Sequence, residues 1–249
     1  QSGIAKPSSG YDIDQSLRVE PDEHYLSRAY SSAGNRRTWT VSFWHKVDNL
    51  AASRQLFGVS TNATVGNPWP GFIVSIDPTG TSGISIEEYT GSSYNLLRQT
   101  ANLFRDPSAW YHFVIRYDTT QATDSDRIKI YVNGVEVEYN GSPTYPSQNH
   151  EGYWNDTNTH RIGKGGSSNG DGAGYFAEFY SIDGQALTPA SFGETDSATN
   201  QWVPIEVTGM TYGTNGFYLP FSSTELANSF SNDTNSDAFV PSANLTVNY

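Results

Sequence analysis

Carboxylate pairs are the first residues in this chain that could do chemistry. Glycoside hydrolysis needs two carboxyl groups facing each other across the scissile bond. Glu87 and Glu88 are adjacent, so a strand sends them to opposite faces. Glu136 and Glu138 share a face but have no further acidic partner nearby in sequence, and four residues separate Glu178 from Asp183. None of these spacings builds an acid–base pair. Gly166-Ser167-Ser168-Asn169-Gly170 spells the Gly-x-Ser-x-Gly of a nucleophile elbow, which must sit between a strand and a helix. Its surroundings are glycine, serine and aspartate, so it reads as a surface turn. The same loop lacks a phosphate-binding Gly-Lys-Ser/Thr ending. His24, His45, His112, His150 and His160 show no zinc-ligand spacing, and the expectation for each is a structural role. The expected protein is therefore not an enzyme.

Hard oxygen donors cluster at Asp124 and Asp126 and at Asn155, Asp156 and Asn158, with Asp171 a further candidate. Calcium is the cation such oxygens suit, though neither cluster matches an EF-hand loop. An Asp-x-Asp pair on a turn is more often solvated, so no cofactor is expected; calcium at Asn155, Asp156 and Asn158, or at Asp124 and Asp126, is the one candidate.

The loop Tyr139–Asn158 is the best binding candidate. It places Tyr145, Tyr153 and Trp154 beside Asn149, His150, Asn155 and Asp156. An aromatic face suits the C–H face of a sugar ring, and amide or carboxylate groups suit its hydroxyls. Trp69, fixed between Pro68 and Pro70, offers a second platform. The competing expectation, and the weightier, is that these aromatics cover a sandwich edge or an oligomer interface.

The elements that must position these residues are strands. Trp110–Tyr117, a polar loop, and Arg127–Val137 read as a strand followed by a hairpin closed at Asn133-Gly134, residues suited to the two positive-φ positions of a type I′ turn. In Trp39–Val47, Trp39, Val41, Phe43 and His45 face one way, and Thr40, Ser42, Trp44 and Lys46 the other. Trp39, Phe43, Trp110, Phe113 and Tyr117 are expected on core faces. Further strands are expected at Leu17–Val19, Tyr25–Arg28, 55–60, 71–76, 83–89, 94–100, 160–163, 174–182 and 216–219. Residues 139–159 are expected as loop, and Thr188–Gly193 as one helical turn capped by Thr188 with Pro189 at its first position. The domain spans 17–221, between a polar N-terminal arm at 1–16 and a Ser/Asn/Asp-rich tail at 222–249, for which loose attachment and packing on a neighbouring subunit are the two alternatives.

Composition sets the class. At 249 residues one sandwich accounts for the whole chain, and strand signals every eight to twelve residues without intervening helices favour an all-β, two-sheet antiparallel jelly roll. A net charge of −12 argues against nucleic acid and anionic lipid as partners. No apolar run is long enough for a membrane span. The absence of cysteine rules out disulfides and thiolate metal sites, and fits assembly in a reducing cytoplasm.

Several ordered segments carry a resemblance. They are Gln15-Ser16-Leu17-Arg18, Tyr25-Leu26-Ser27-Arg28, Ser31–Thr40, Ser42-Phe43-Trp44-His45-Lys46, Tyr131-Val132-Asn133-Gly134, Ala177–Leu187, Phe192-Gly193-Glu194 and Tyr212–Tyr218. With these the chain resembles the concanavalin A-like lectin/glucanase superfamily in its laminin G/pentraxin-like form, and more closely the version found in tailed-phage virion proteins. That resemblance implies two stacked antiparallel sheets and a place in a virion, as a tail-fibre or capsid-surface component. Glucanases of the superfamily carry Glu-x-Asp-x-x-Glu on one strand, which this chain lacks. The implied protein is a non-enzymatic virion structural protein, assembled in the host bacterial cytoplasm, oligomeric and docked on other virion proteins. The alternative is a lectin that attaches the particle to host surface glycan, and an endoglycanase ranks third.

Overall fold

The computed structural model describes residues 10–20, 24–48, 50–61, 70–80, 83–165, 172–221, 240–241 and 246–248, the last two segments by their backbone alone. Trp69, Asp171 and the Gly166–Gly170 motif lie outside the described residues.

The strands follow one another almost without helix. The first nine are β1 (Ser16–Val19), β2 (Leu26–Ala29), β3 (Thr38–Lys46), β4 (Arg54–Ser60), β5 (Gly71–Ile76), β6 (Ile84–Tyr89), β7 (Tyr94–Thr100), β8 (Tyr111–Asp118) and β9 (Ile128–Val132). Then come β10 (Val135–Glu136), β11 (Tyr139–Thr144), β12 (Thr159–Ile162), β13 (Gly174–Asp183), β14 (Gly193–Thr195), β15 (Trp202–Pro204), β16 (Phe217–Leu219), β17 (Val240–Pro241) and β18 (Thr246–Asn248). The first sheet runs β10-β9-β8-β3-β13-β1-β18, with β16 also paired to β13; the second runs β11-β7-β6-β5-β4-β12-β2-β17. Every ladder is antiparallel, as a sandwich built from hairpins and crossovers requires. No helix among the described residues is long and apolar enough to cross a membrane.

Alternation on β3 explains the core. Trp39, Val41 and Phe43 enter the central cluster together with Phe57, Phe72, Phe113, Tyr117, Phe176 and Phe179. Phe43 meets Phe57 edge-on at 5.6 Å and stacks near Phe179 at 5.4 Å. Each such side chain contributes about 1.5–3 kcal/mol by leaving water.

The other face of β3 is buried too, which alternation alone does not foretell. Val114, Tyr180, Ile182 and Phe192 form a second apolar cluster, with Leu187, Val207, Met210 and Tyr212 packed on it. Chain from about 185 to 215 thus lies over the outer face of the first sheet. Thr40 fastens it: its hydroxyl donates to Gln185 O and accepts from Leu187 N–H, both at 2.8 Å. This layer holds the small β14–β15 ladder.

Two boundaries differ from expectation. Tyr139–Thr144 forms an edge strand on β7 with an irregular register around Pro143, so loop begins only at 145. Within the tail, β17 pairs β2 and β18 pairs β1, completing an edge of each sheet within one chain. At the other end, the arm is anchored by Tyr11, whose hydroxyl bonds with Tyr218 and Glu178; burial near Glu178 raises its pKa to about 12. The helical turn is a 3-10 turn at Pro189–Ser191; Thr188 occupies the N-cap but makes no side-chain cap bond.

Candidate functional site

The loop from 145 to 158 folds onto the sandwich edge. Arg36 clamps it, donating from Nε to Gly152 O at 2.6 Å and from Nη2 to Glu151 O at 3.2 Å. Arg37 adds an ion pair to Glu151 at 2.7 Å. Glu88 of β6, 1% exposed, receives the loop from beneath. One of its oxygens lies 2.5 Å from His150 Nε2, and the other accepts the Tyr153 N–H at 3.2 Å. Tyr139 and Tyr145 flank the Arg98 guanidinium, with ring centres 3.5 and 5.0 Å away.

Trp154 requires a correction. It is 1% exposed, lies 5.1 Å from Phe57 and 4.8 Å from His160, and donates its indole N–H to Ser181 Oγ at 3.2 Å. A ring so enclosed presents no face to a sugar. Asn155 is corrected likewise. It is fully buried at a positive φ of 66°, its N–H donates to His160 Nε2, and its amide nitrogen donates to Asn35 O and Asp183 Oδ1. Asp156 is buried apart from 6% of its surface. Of the loop's binding candidates, Asn149 is exposed and Tyr145, His150 and Tyr153 are partly exposed; Tyr145 flanks Arg98, and His150 and Tyr153 are tied to Glu88.

The calcium candidates do not fit the ion. Asp156 Oδ1 accepts Asn158 N–H at 2.7 Å, and its Oδ2 accepts Asn158 Nδ2 at 2.5 Å, so the carboxylate closes on its own turn. Burial raises its pKa, opposed by the two bonds from Asn158. Asn155 Oδ1 is buried without a hydrogen-bond partner, but one carbonyl is far short of the six to eight oxygens calcium takes. Asp126 pairs with Lys129 at 3.2 Å, and Asp124 Oδ1 accepts Ser125 N–H. Among the described residues, no three His, Asp or Glu side chains converge in a metal-binding group.

Buried carboxylates elsewhere are likewise surrounded by donors. Asp183 accepts Asn35 N–H at 2.7 Å on one oxygen and Asn215 N–H at 2.9 Å on the other. Glu178 sits at a bulge in β13 with a positive φ of 49°, and receives hydroxyls from Tyr180 and Tyr218 at 2.8 Å. Burial raises the pKa of both carboxylates, opposed by these bonds. Each carboxylate holds strands and arms together.

A second surface has a different character. Between the first sheet and the β14–β15 ladder lies a cleft of about 620 Å³, lined by Trp44, Trp110 and Trp202 with Asn133, Asn200 and Gln201. Trp110 was expected in the core with Phe113. The three-residue offset gives it the opposite parity, and its ring meets Tyr175 edge-on at 6.4 Å beneath Lys46 Nζ at 5.3 Å. Trp44 stacks on His112 at 4.9 Å. The Trp202 ring lies nearly parallel to His112 and donates its N–H to His112 Nδ1 at 2.9 Å. An indole nitrogen only donates, so Nδ1 accepts and the neutral ring carries its proton on Nε2, 2.8 Å from Ser42 Oγ. Burial lowers the His112 pKa to about 3, so the ring is uncharged at neutral pH, and the Trp202 bond selects its tautomer. Sequence reasoning missed the cleft because residues 44, 110 and 202 share no local spacing. The one available signal was the out-of-core parity of Trp44 and Trp110.

Comparisons agree with this architecture. The chain superposes on the heptameric SAP-like pentraxin of Limulus polyphemus with a TM-score of 0.55 at 15% identity, covering 95% of this chain and 96% of that one. It superposes on a protein from Bacteroides ovatus provisionally designated carbohydrate-binding with a TM-score of 0.58 at 15% identity, covering 96% of this chain and 60% of that one. No curated protein matches the chain in sequence. Residues 23–192 match the Laminin_G_3 family model, and the chain therefore belongs to the concanavalin A-like lectin/glucanases superfamily.

Proposed function

We propose that the chain is a non-enzymatic module displayed on a tailed-phage particle, as a capsid decoration or a tail-fibre component. The observation that carries the non-enzymatic part is the fate of the buried carboxylates: Glu88, Glu178 and Asp183 each spend their oxygens on bonds that join strands, loop and arm. Acid–base chemistry on a sugar needs such groups aimed at an open cleft. The virion part rests on the ordered likeness of Ser31–Thr40, Ala177–Leu187 and Tyr212–Tyr218 to phage virion proteins. Its partners are other virion proteins and copies of itself, assembled in the host bacterial cytoplasm. Quantitative mass spectrometry of purified particles tests this. A fixed, stoichiometric copy number is expected, and absence from particles overturns it.

A second reading, host-glycan recognition, is favoured by one observation. The cleft of Trp44, Trp110 and Trp202 combines indole rings with amide side chains. A display role and a recognition role are compatible in one exposed protein.

A further inference from the structure

We infer that the cleft between the outer face of the first sheet and the β14–β15 ladder binds a neutral oligosaccharide, and that it does so without a metal ion. This rests on the glycan reading and supplies its site and ligand class, in place of the aromatic loop at 145–158. Three properties of the cleft carry the inference.

The first is composition. The partly exposed indoles of Trp110 and Trp202, backed by the buried Trp44, lie beside the amides of Asn133, Asn200 and Gln201, and none of the lining residues is ionisable, in a chain of net charge −12. An anionic glycan would meet a repulsive field, and Lys46, the cation beside the cleft, is already engaged over the Trp110 and Tyr175 rings. A neutral pyranose offers C–H faces to rings and hydroxyls to amides. A purely apolar partner would leave those amides without directional bonds.

The second is preorganisation. The Trp202 ring is bonded to His112, Trp44 is stacked on the same imidazole, and Trp110 is braced by Tyr175 and Lys46. Two glycines admit Trp202. A Cβ at Gly134 would stand 2.4 Å from its Cε3, and one at Gly193 2.6 Å from its Cζ2. Rings fixed before binding lose little entropy when a ligand arrives.

The third is size and access. A volume of about 620 Å³ falls within the usual range for small-ligand sites. Thr195, Asn200 and Gln201 are exposed at the rim, where they can take new partners.

The test is titration of the full chain with neutral glucan, mannan and galactan oligomers, followed by calorimetry and tryptophan fluorescence, with and without EDTA. Uronate and sialylated oligomers serve as anionic controls. A neutral oligomer should bind equally with EDTA present, and the anionic controls should not compete. Trp110→Ala should weaken binding at least tenfold. Gln201→Ala, at an exposed position, should weaken it several-fold with the unfolding midpoint unchanged. Neutral binding that survives both substitutions overturns this site while leaving the glycan reading intact. Binding abolished by EDTA overturns the metal-free assignment. Failure of every oligomer to bind overturns both the site and the glycan reading. Self-association lost on Trp110→Ala, with no sugar bound, makes the cleft a contact between copies and overturns the inference.

Discussion

The indole N–H of Trp202 donates to Nδ1 of His112 at 2.9 Å, linking the outer layer to the first sheet through a buried imidazole. Trp202→Phe keeps an aromatic ring but removes the donor. The buried Nδ1 then loses its partner, at a cost of about 1–3 kcal/mol. Urea unfolding should show this as a lower midpoint at unchanged slope. An unchanged midpoint would mean that the bond contributes nothing to stability.

Gly134 is needed twice. Its φ of +82° suits the turn that follows Asn133, and its missing side chain leaves room for Trp202. Gly134→Ala should cost about 1–3 kcal/mol through backbone strain and crowding. In a Trp202→Ala background the crowding disappears and only the strain remains, so the two costs should sum to more than the double variant's. Strict additivity would show that the ring and the turn do not meet.

Trp154→Ala should destabilise the protein by about 3–5 kcal/mol, as expected for emptying a large aromatic site in a core. Thermal unfolding measures it. A variant of native stability that had lost glycan binding would restore Trp154 as a recognition residue.

Acid should weaken the fold through its buried histidines. Burial lowers the pKa of His45, His112 and His160 from 6.5 to about 3. The unfolded chain therefore takes up protons below pH 6.5 that the folded chain refuses until near pH 3. The stability these rings contribute is complete above pH 6.5 and is lost as pH falls towards 3, by about 1.4 kcal/mol per pH unit for each ring. Glu178 and Asp183, with raised pKa values, act in the opposite sense: their contribution is lost as pH rises through their folded-state values. A difference measurement isolates one ring. His45→Leu should flatten the dependence of unfolding free energy on pH by about one proton between pH 6 and 4. An unaltered slope would show that His45 is protonated in the fold.

Much of the sandwich was legible because one face of each central strand carries bulk. β3 alternates Trp39, Val41 and Phe43 against Thr40 and Ser42, and Asn133-Gly134 has the positive φ values its turn demands, 48° and 82°. Edge elements escaped notice for the converse reason. β11 is polar and mostly exposed, and contains Pro143, so no period marks it. β17 and β18 are very short and lie in Ser/Asn-rich chain. The binding loop stayed between two readings because a Tyr-Trp-Asn-Asp run has the same composition whether its tryptophan turns outward or, as Trp154 does, inward. The cleft was illegible because it assembles residues far apart in sequence, across a layer that no local pattern announces.

Ser16 lies opposite Asn248 in the β1–β18 ladder, so the polypeptide enters and leaves the sandwich side by side. Tension drawn between two such neighbouring ends peels a ladder rung by rung rather than shearing all its rungs together. The final strand should therefore let go at low force while the packed layers behind it hold. Under such a load the β1–β18 ladder is a mechanical fuse.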